Sequence, residues 1–237
     1  MTDVLIAFEG GEGAGKSTQV RLLADRLTQA GRDVAVTREP GGTQLGRALR
    51  RLLLDPSAEG MDPRTEALLY AADRAEHVAA VVRPALARGA VVITDRYVDS
   101  SIAYQGAGRG LGTQVVSEVS RWATSGVRAN LTVLLDIDPQ IGVSRAGRAP
   151  ADQADRGAAS GVPDRVESEP QAFHRRVRQA FLDRASADPG RYLVLDACQT
   201  VERIAELVAA AVDQLLEPVG FRSVGAAPGS DAPGRHG

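Results

Sequence analysis

Lysine is almost absent from this chain: of 28 basic residues one is lysine, Lys16, and 27 are arginine. Cysteine is as scarce, and Cys198, standing alone, can form no internal disulfide. At the end of an apolar strand its thiol reads as packing rather than chemistry. Long apolar runs are missing too. No stretch approaches the ~20 residues that a membrane span requires. The first eight residues lead straight into glycines, without the basic segment and ~7–15 apolar residues of a secretory signal. These absences lead us to expect a cytoplasmic protein that does not enter a membrane. Positive charge is not in excess, since the formal charge is −2 and the sequence pI about 6.0. The chain therefore lacks the broad positive field that would attract a nucleic acid polymer.

What is present is ordinary for a globular domain, with 43% hydrophobic and 24% charged residues. A length of 237 residues fits a single core, which commonly serves up to ~250 residues. Apolar runs of strand length recur at Val4–Phe8, Val34–Val36, Val91–Ile93, Leu131–Ile137 and Leu193–Leu195. Between them lie stretches of helical spacing, such as Val20, Leu23 and Leu27, and Ile204, Leu207, Val208 and Leu215. Alternating strands and helices with continuous apolar strands predict an α/β fold, a five-stranded parallel sheet with helices on both faces. Ligands of such sheets bind at the carboxyl ends of the strands. Residues 147–168 are rich in Gly, Ala, Pro, Asp and Arg and exceed the usual connection length, so they read as a mobile loop over the site. Residues 218–237 hold five glycines and three prolines and read as a disordered tail behind a domain of residues 1–217.

Gly10, Gly11, Glu12, Gly13, Ala14, Gly15, Lys16 and Ser17 spell the G-x-x-x-x-G-K-[ST] phosphate loop between the first strand and the first helix. Glycines let successive N–H groups wrap a polyphosphate, and the following helix aims its N-terminus at the anion. Lys16 would reach the β- and γ-phosphate oxygens and Ser17 would ligate Mg²⁺, which implies ATP as ligand. The sole lysine falls where the motif calls for a compact ammonium. A GTPase needs a further lysine in its guanine-reading N-K-x-D loop, and partition ATPases need a second lysine in the phosphate loop. Lys16 cannot serve both places, so a small-molecule kinase remains. Asp95, closing the third apolar run, is a second candidate metal ligand.

Five segments in order carry a resemblance. They are Phe8 to Thr18, the T-R-E-P-G-G-T string from Thr37 to Thr43, L-Y-A-A-D-R from Leu69 to Arg74, D-R-Y-V-D-S-S-I-A-Y-Q-G from Asp95 to Gly106, and Leu195-Asp196-Ala197. Over roughly residues 3–215 the chain resembles the thymidylate kinases of bacterial type. The first segment is common to many NTPases; the second and fourth together are highly specific.

The resemblance implies a P-loop nucleoside monophosphate kinase that moves the ATP γ-phosphoryl to dTMP, with Mg²⁺, and acts as a homodimer. It implies that Arg96 grips the acceptor 5′-phosphate, for which a planar guanidinium is suited. Ser101 and Gln105 would contact the thymine edge, with Tyr104 near the deoxyribose. The i, i+3, i+4 spacing predicts all three on one helical face. Tyr70 would stack on the base, and Arg74, four residues on, would donate to O4, where cytosine carries an amino group instead. Glu39 and Arg50 would border the acceptor. Some relatives carry a catalytic arginine in the phosphate loop, where this chain has Glu12 and Gly13. The missing charge is then expected from the long loop, where Arg165 is the first choice and Arg145, Arg148 and Arg156 are alternatives.

Overall fold

A computed structural model describes residues 4–146 and 164–217. The loop residues 147–163, with Arg148 and Arg156, and the tail 218–237 lie outside the described residues. The elements in order are β1 (Val4–Gly10), α1 (Lys16–Gln29), β2 (Val34–Arg38), α2 (Gln44–Leu54), α3 (Pro63–His77), α4 (Arg83–Ala87), β3 (Val91–Asp95), α5 (Val98–Ser101), α6 (Thr113–Ala123), β4 (Leu131–Asp136), α7 (Pro139–Ala146), α8 (Gln171–Ala187), β5 (Tyr192–Asp196) and α9 (Val201–Leu216). Two π-helical stretches, Val78–Val82 and Ile102–Gly108, extend α3 and α5.

The sheet is parallel throughout, in the order β2-β3-β1-β4-β5. β1 lies at its centre and is buried along its whole length. Alternate residues of β1 serve opposite layers, as the pleat requires. Ile6 and Phe8 pack with Val20, Leu23 and Leu27 of α1 and with Ile204, Val208 and Val212 of α9. Leu5 and Ala7 pack with Val78, Val82, Ala85 and Tyr97 on the other side. A further cluster of Ala103, Leu134, Phe173, Val177 and Phe181 seats α8 beside β4. The apolar runs thus form the expected strands, four of them extended by two residues, whereas β4 ends at Asp136, one residue short of the expected Ile137. Cys198 departs from expectation: it lies past the end of β5 and is exposed, so its thiol packs against nothing in the core.

Local chemistry fixes the helix starts. Asp62 caps α3 through Arg64 and Thr65 N–H groups with Pro63 at the first turn, and Thr43 and Thr200 cap α2 and α9. At α1 the start is set differently. Gly15 precedes it at φ 89° and offers no side-chain cap, leaving its first N–H groups for a ligand. No helix among the described residues is long and apolar enough to cross a membrane.

Candidate active site

The turn after β1 begins at Gly10, whose φ of 137° excludes ordinary L-residues. A Cβ there would also strike the Leu135 carbonyl of β4, so glycine is required twice over. Within this loop Lys16 is 8% exposed, and Nζ donates to the carbonyls of Gly10 at 3.2 Å and Gly11 at 2.8 Å. Burial, reinforced by the nearby Arg96, pushes the ammonium down to about 8. A phosphate anion would add a direct charge partner to this partly desolvated ammonium, beyond the nearby Asp95, Glu12 and Glu9. Ser17 Oγ donates to Asp95 Oδ2 at 2.9 Å. This hydroxyl and carboxylate, brought together from α1 and the end of β3, form the hard oxygen set that suits Mg²⁺.

Arg96 follows Asp95 with φ 68°, a left-handed conformation that costs a non-glycine residue about 1–2 kcal/mol. Glu9 holds the turn in place. Its Oε1 accepts from Tyr97 N at 2.8 Å and Ser100 N at 3.1 Å, and its Oε2 from Ser100 Oγ at 2.6 Å. Burial and the nearby Asp99 push Glu9 up to about 7, against those hydrogen bonds and Arg96. So fixed, Arg96 Nη1 donates to Gly10 O at 3.2 Å and Ser100 Oγ at 3.1 Å. Its guanidinium also lies 5.2 Å from the Tyr104 ring centre. Arg96 thus joins the phosphate loop to the Asp95–Gly106 segment.

The T-R-E-P-G-G-T string, with a cis Glu39–Pro40 peptide, runs from β2 to α2 and is fastened by three residues of α3. Arg74 Nε donates to Glu39 Oε2 at 2.8 Å, His77 Nδ1 lies 2.7 Å from Glu39 Oε1, and Asp73 Oδ1 accepts from Gly41 N at 3.0 Å. His77 Nε2 is 2.7 Å from Thr37 Oγ1. Gly42 allows this fit, since a Cβ would come within 2.7 Å of the His77 ring. Arg74, 2% exposed, also donates to Ser120 Oγ, to Tyr97 O and, at 3.0 Å, to Ser101 Oγ. Arg50 donates to Pro40 O at 3.2 Å on the same loop. Tyr70 lies on α3 four residues before Arg74.

Ser101 and Gln105 turn toward α3: Ser101 meets Arg74, and Gln105 Nε2 donates to Glu66 Oε1 at 2.7 Å. Tyr104 does not share their face, contrary to the expectation for a regular α-turn. Residues 102–108 are π-helical, and the wider turn swings Tyr104 off that face. It packs instead against Phe173 and Phe181. A pocket opens beside it, lined in part by Gly10, Gly11, Glu12, Ile137 and His174.

Arg165 lies in the stem of the long loop. It is 8% exposed, with Nε on Leu53 O at 3.0 Å and Nη1 paired with Glu66 at 2.7 Å. None of these partners belongs to residues 10–17; through them Arg165 ties the loop's stem to α2 and α3. Arg145, in α7, donates to Ala197 O at 2.7 Å, joining the L-D-A segment. The stem reaches the phosphate loop through acids: burial, then Glu12 beside it, pushes Glu167 up to about 7. Glu9, Glu66, Asp73 and His77 had not been singled out by sequence. A signal existed for Glu66, which precedes Tyr70 and Arg74 by four and eight residues on one helical row.

A phosphate loop at the end of β1, with Ser17 and Asp95 meeting beside it, on a five-stranded parallel sheet defines a P-loop nucleotide kinase. The sequence profile described as thymidylate kinase matches residues 8–208, and the chain belongs to the thymidylate kinase family. Among curated relatives, the thymidylate kinase of Deinococcus radiodurans is 49% identical over 211 residues, covering 89% of this chain and 97% of that one. The thymidylate kinase of Clavibacter michiganensis is 53% identical over 208 residues, with 88% and 93% covered. The crystal structure of thymidylate kinase from Ehrlichia chaffeensis superposes with a TM-score of 0.68 at 30% identity, covering 89% of this chain and 98% of that one.

Proposed function

We propose that the chain transfers the γ-phosphoryl group of ATP to dTMP, giving dTDP and ADP, a step toward dTTP. The observation that carries this reading is Arg96, whose guanidinium touches the phosphate loop at Gly10 O while standing at the head of the acceptor segment. An acceptor phosphate gripped there would lie beside the γ-phosphate. The acceptor oxygen is already mostly ionised at neutral pH, so no general base is needed, and positioning with charge neutralisation suffices.

In this reading residues 10–17 wrap the ATP phosphates, with Lys16 on the β- and γ-oxygens. Ser17 and Asp95 hold Mg²⁺, which shields the phosphate charge when bound. Tyr70 stacks on the base, Arg74, Ser101 and Gln105 read its edge, Tyr104 flanks the sugar, and Glu39 and Arg50 border the acceptor. Glu12 occupies the phosphate loop without adding positive charge, so the remaining cation comes from the long loop and its flanks, from one of Arg145, Arg148, Arg156 and Arg165. ATP as donor goes with a cytoplasmic location.

A homodimer fits the surface. α3 packs against α2 and α6, and these three helices expose Leu52 (56%), Leu68 (61%) and Trp122 (82%), apolar area that a second copy could cover. The reading is tested by product analysis. ATP and dTMP should yield ADP and dTDP in equal amounts, and Lys16→Ala should abolish both while leaving the fold intact. ADP without dTDP would contradict it.

A further inference from the structure

Glu66 is wholly buried, 0% exposed, yet surrounded by donors. Beyond Gln105 Nε2 at 2.7 Å, its oxygens meet Arg109 Nε at 3.2 and 3.1 Å and Arg165 Nη1 at 2.7 Å. Arg109 is itself paired with Glu169. Burial favours the neutral acid, but Gln105 and the two arginines outweigh it and hold Glu66 below the usual carboxylate range. An ionised carboxylate has no hydrogen to donate. The orientation of the Gln105 amide follows from this. Its NH₂ must face Glu66, because the reverse would set two oxygens against each other, and its Oε1 must face away. Among the described residues the Gln105 side chain makes only the bond to Glu66.

We propose that Glu66 selects the pyrimidine by locking Gln105 with its carbonyl oxygen toward the base edge. The proposal rests on the reading of Gln105 as a contact to that edge. Thymine presents N3–H there, a donor, beside the acceptor O4. Cytosine presents a bare N3, an acceptor, beside an amino donor. A locked Oε1 completes N3–H of thymine and opposes the lone pair of cytosine. Arg74 gives the complementary half. Of its five N–H groups, four bond to Glu39, Ser120, Tyr97 and Ser101, and one Nη1 hydrogen is left to meet O4. One fixed acceptor and one fixed donor thus match the imide edge and oppose the cytosine edge at both positions. Uracil has the same edge as thymine, so Glu66 should not distinguish those two.

Glu66→Gln replaces a pure acceptor by an amide that can also donate, freeing Gln105 to flip. The experiment measures kcat/KM for dTMP, dCMP and dUMP in the wild type, Glu66→Gln, Glu66→Asp and Gln105→Leu. In Glu66→Gln the dTMP:dCMP ratio should fall about tenfold or more while dTMP:dUMP stays within about twofold, as the loss of a polar mismatch at a buried edge requires. Glu66→Asp keeps the charge beside Arg109 and Arg165 but is one methylene too short to hold Gln105, and it should show the same fall should the glutamine variant not fold. A parallel loss for all three substrates, with both ratios constant, would make Glu66 merely structural and overturn the proposal. An unchanged ratio in folded Glu66 variants, with a lowered ratio in Gln105→Leu, would overturn Glu66 alone. An unchanged ratio in Gln105→Leu would instead remove Gln105 from the base edge, and the proposal with it.

Discussion

The Ser17 hydroxyl and the Asp95 carboxylate meet at 2.9 Å although 78 residues separate them in sequence. Parallel pairing of β1 with β3, with Phe8 opposite Asp95, brings the end of β3 beside the first turn of α1. We expect Asp95→Asn to raise the Mg²⁺ concentration needed for half-maximal activity about tenfold, since a carboxylate ligand or its water bridge loses its charge. A magnesium titration of both proteins checks this. An unchanged midpoint would remove Asp95 from the metal site.

Arg74 and Glu39 form an ion pair with both side chains 2% exposed. Removing one partner of a buried pair typically costs about 3–5 kcal/mol, so Arg74→Ala should lower Tm by about 10 °C as well as relax base selection. His77 remains beside Glu39 and softens the loss. A melting curve within about 2 °C of wild type would mean that the pair contributes little.

Glu9 gives a pH dependence whose sign is fixed. Its folded value of about 7 lies above the ordinary 4.5, so between those values the folded chain keeps a proton that the unfolded chain has released. Stability from this group is therefore full below about 4.5 and is lost as pH rises through about 7. Asp73, raised to about 6 chiefly by burial and Glu39, acts in the same direction. Tm should climb as pH is lowered from 8 toward 5, and Glu9→Gln should flatten that slope. A wild type whose Tm falls over this range would contradict the assignment.

Arg165 should behave as an anchor. Arg165→Ala leaves Glu66 with Arg109 and Gln105, and a loss of about 2 kcal/mol in stability is expected from the vanished charged hydrogen bond. Alanine at the arginine that meets the transferring phosphoryl should instead lower kcat by about 10³ with little change in Tm. Parallel kcat and Tm measurements on Arg145→Ala, Arg148→Ala, Arg156→Ala and Arg165→Ala separate the two. A collapse of kcat in Arg165→Ala with Tm unchanged would return it to the transferring group.

What the sequence made legible was what lies close along the chain. The phosphate loop is one contiguous string bounded by a strand and a helix, and the five strands are continuous apolar runs. Asp95 was identifiable because it closes a strand, where such sheets bind ligands, and Arg96 because the D-R-Y string around it carries the resemblance. Less legible was anything set by side chains meeting across elements. Tyr104 left the face of Ser101 and Gln105 because residues 102–108 are π-helical, and no periodicity announces that turn. Glu66 and His77 looked like ordinary polar residues of a surface helix, yet both are 0% exposed, because their partners arrive from elsewhere: Thr37 and Glu39 at the end of β2 for His77, and Gln105, Arg109 and Arg165 for Glu66. Arg165 was chosen by spacing, which says nothing of the carboxylate waiting at Glu66.

The central claim is that the acceptor is dTMP, and a substrate panel tests it most directly. With ATP and Mg²⁺ saturating, initial rates would be compared for dTMP, dCMP, dUMP and thymidine. The account predicts the highest kcat/KM for dTMP, with dCMP poor because its edge is mismatched at Arg74 and Gln105, and thymidine poor because it offers Arg96 no phosphate. A chain that turns over thymidine or dCMP better than dTMP would contradict it.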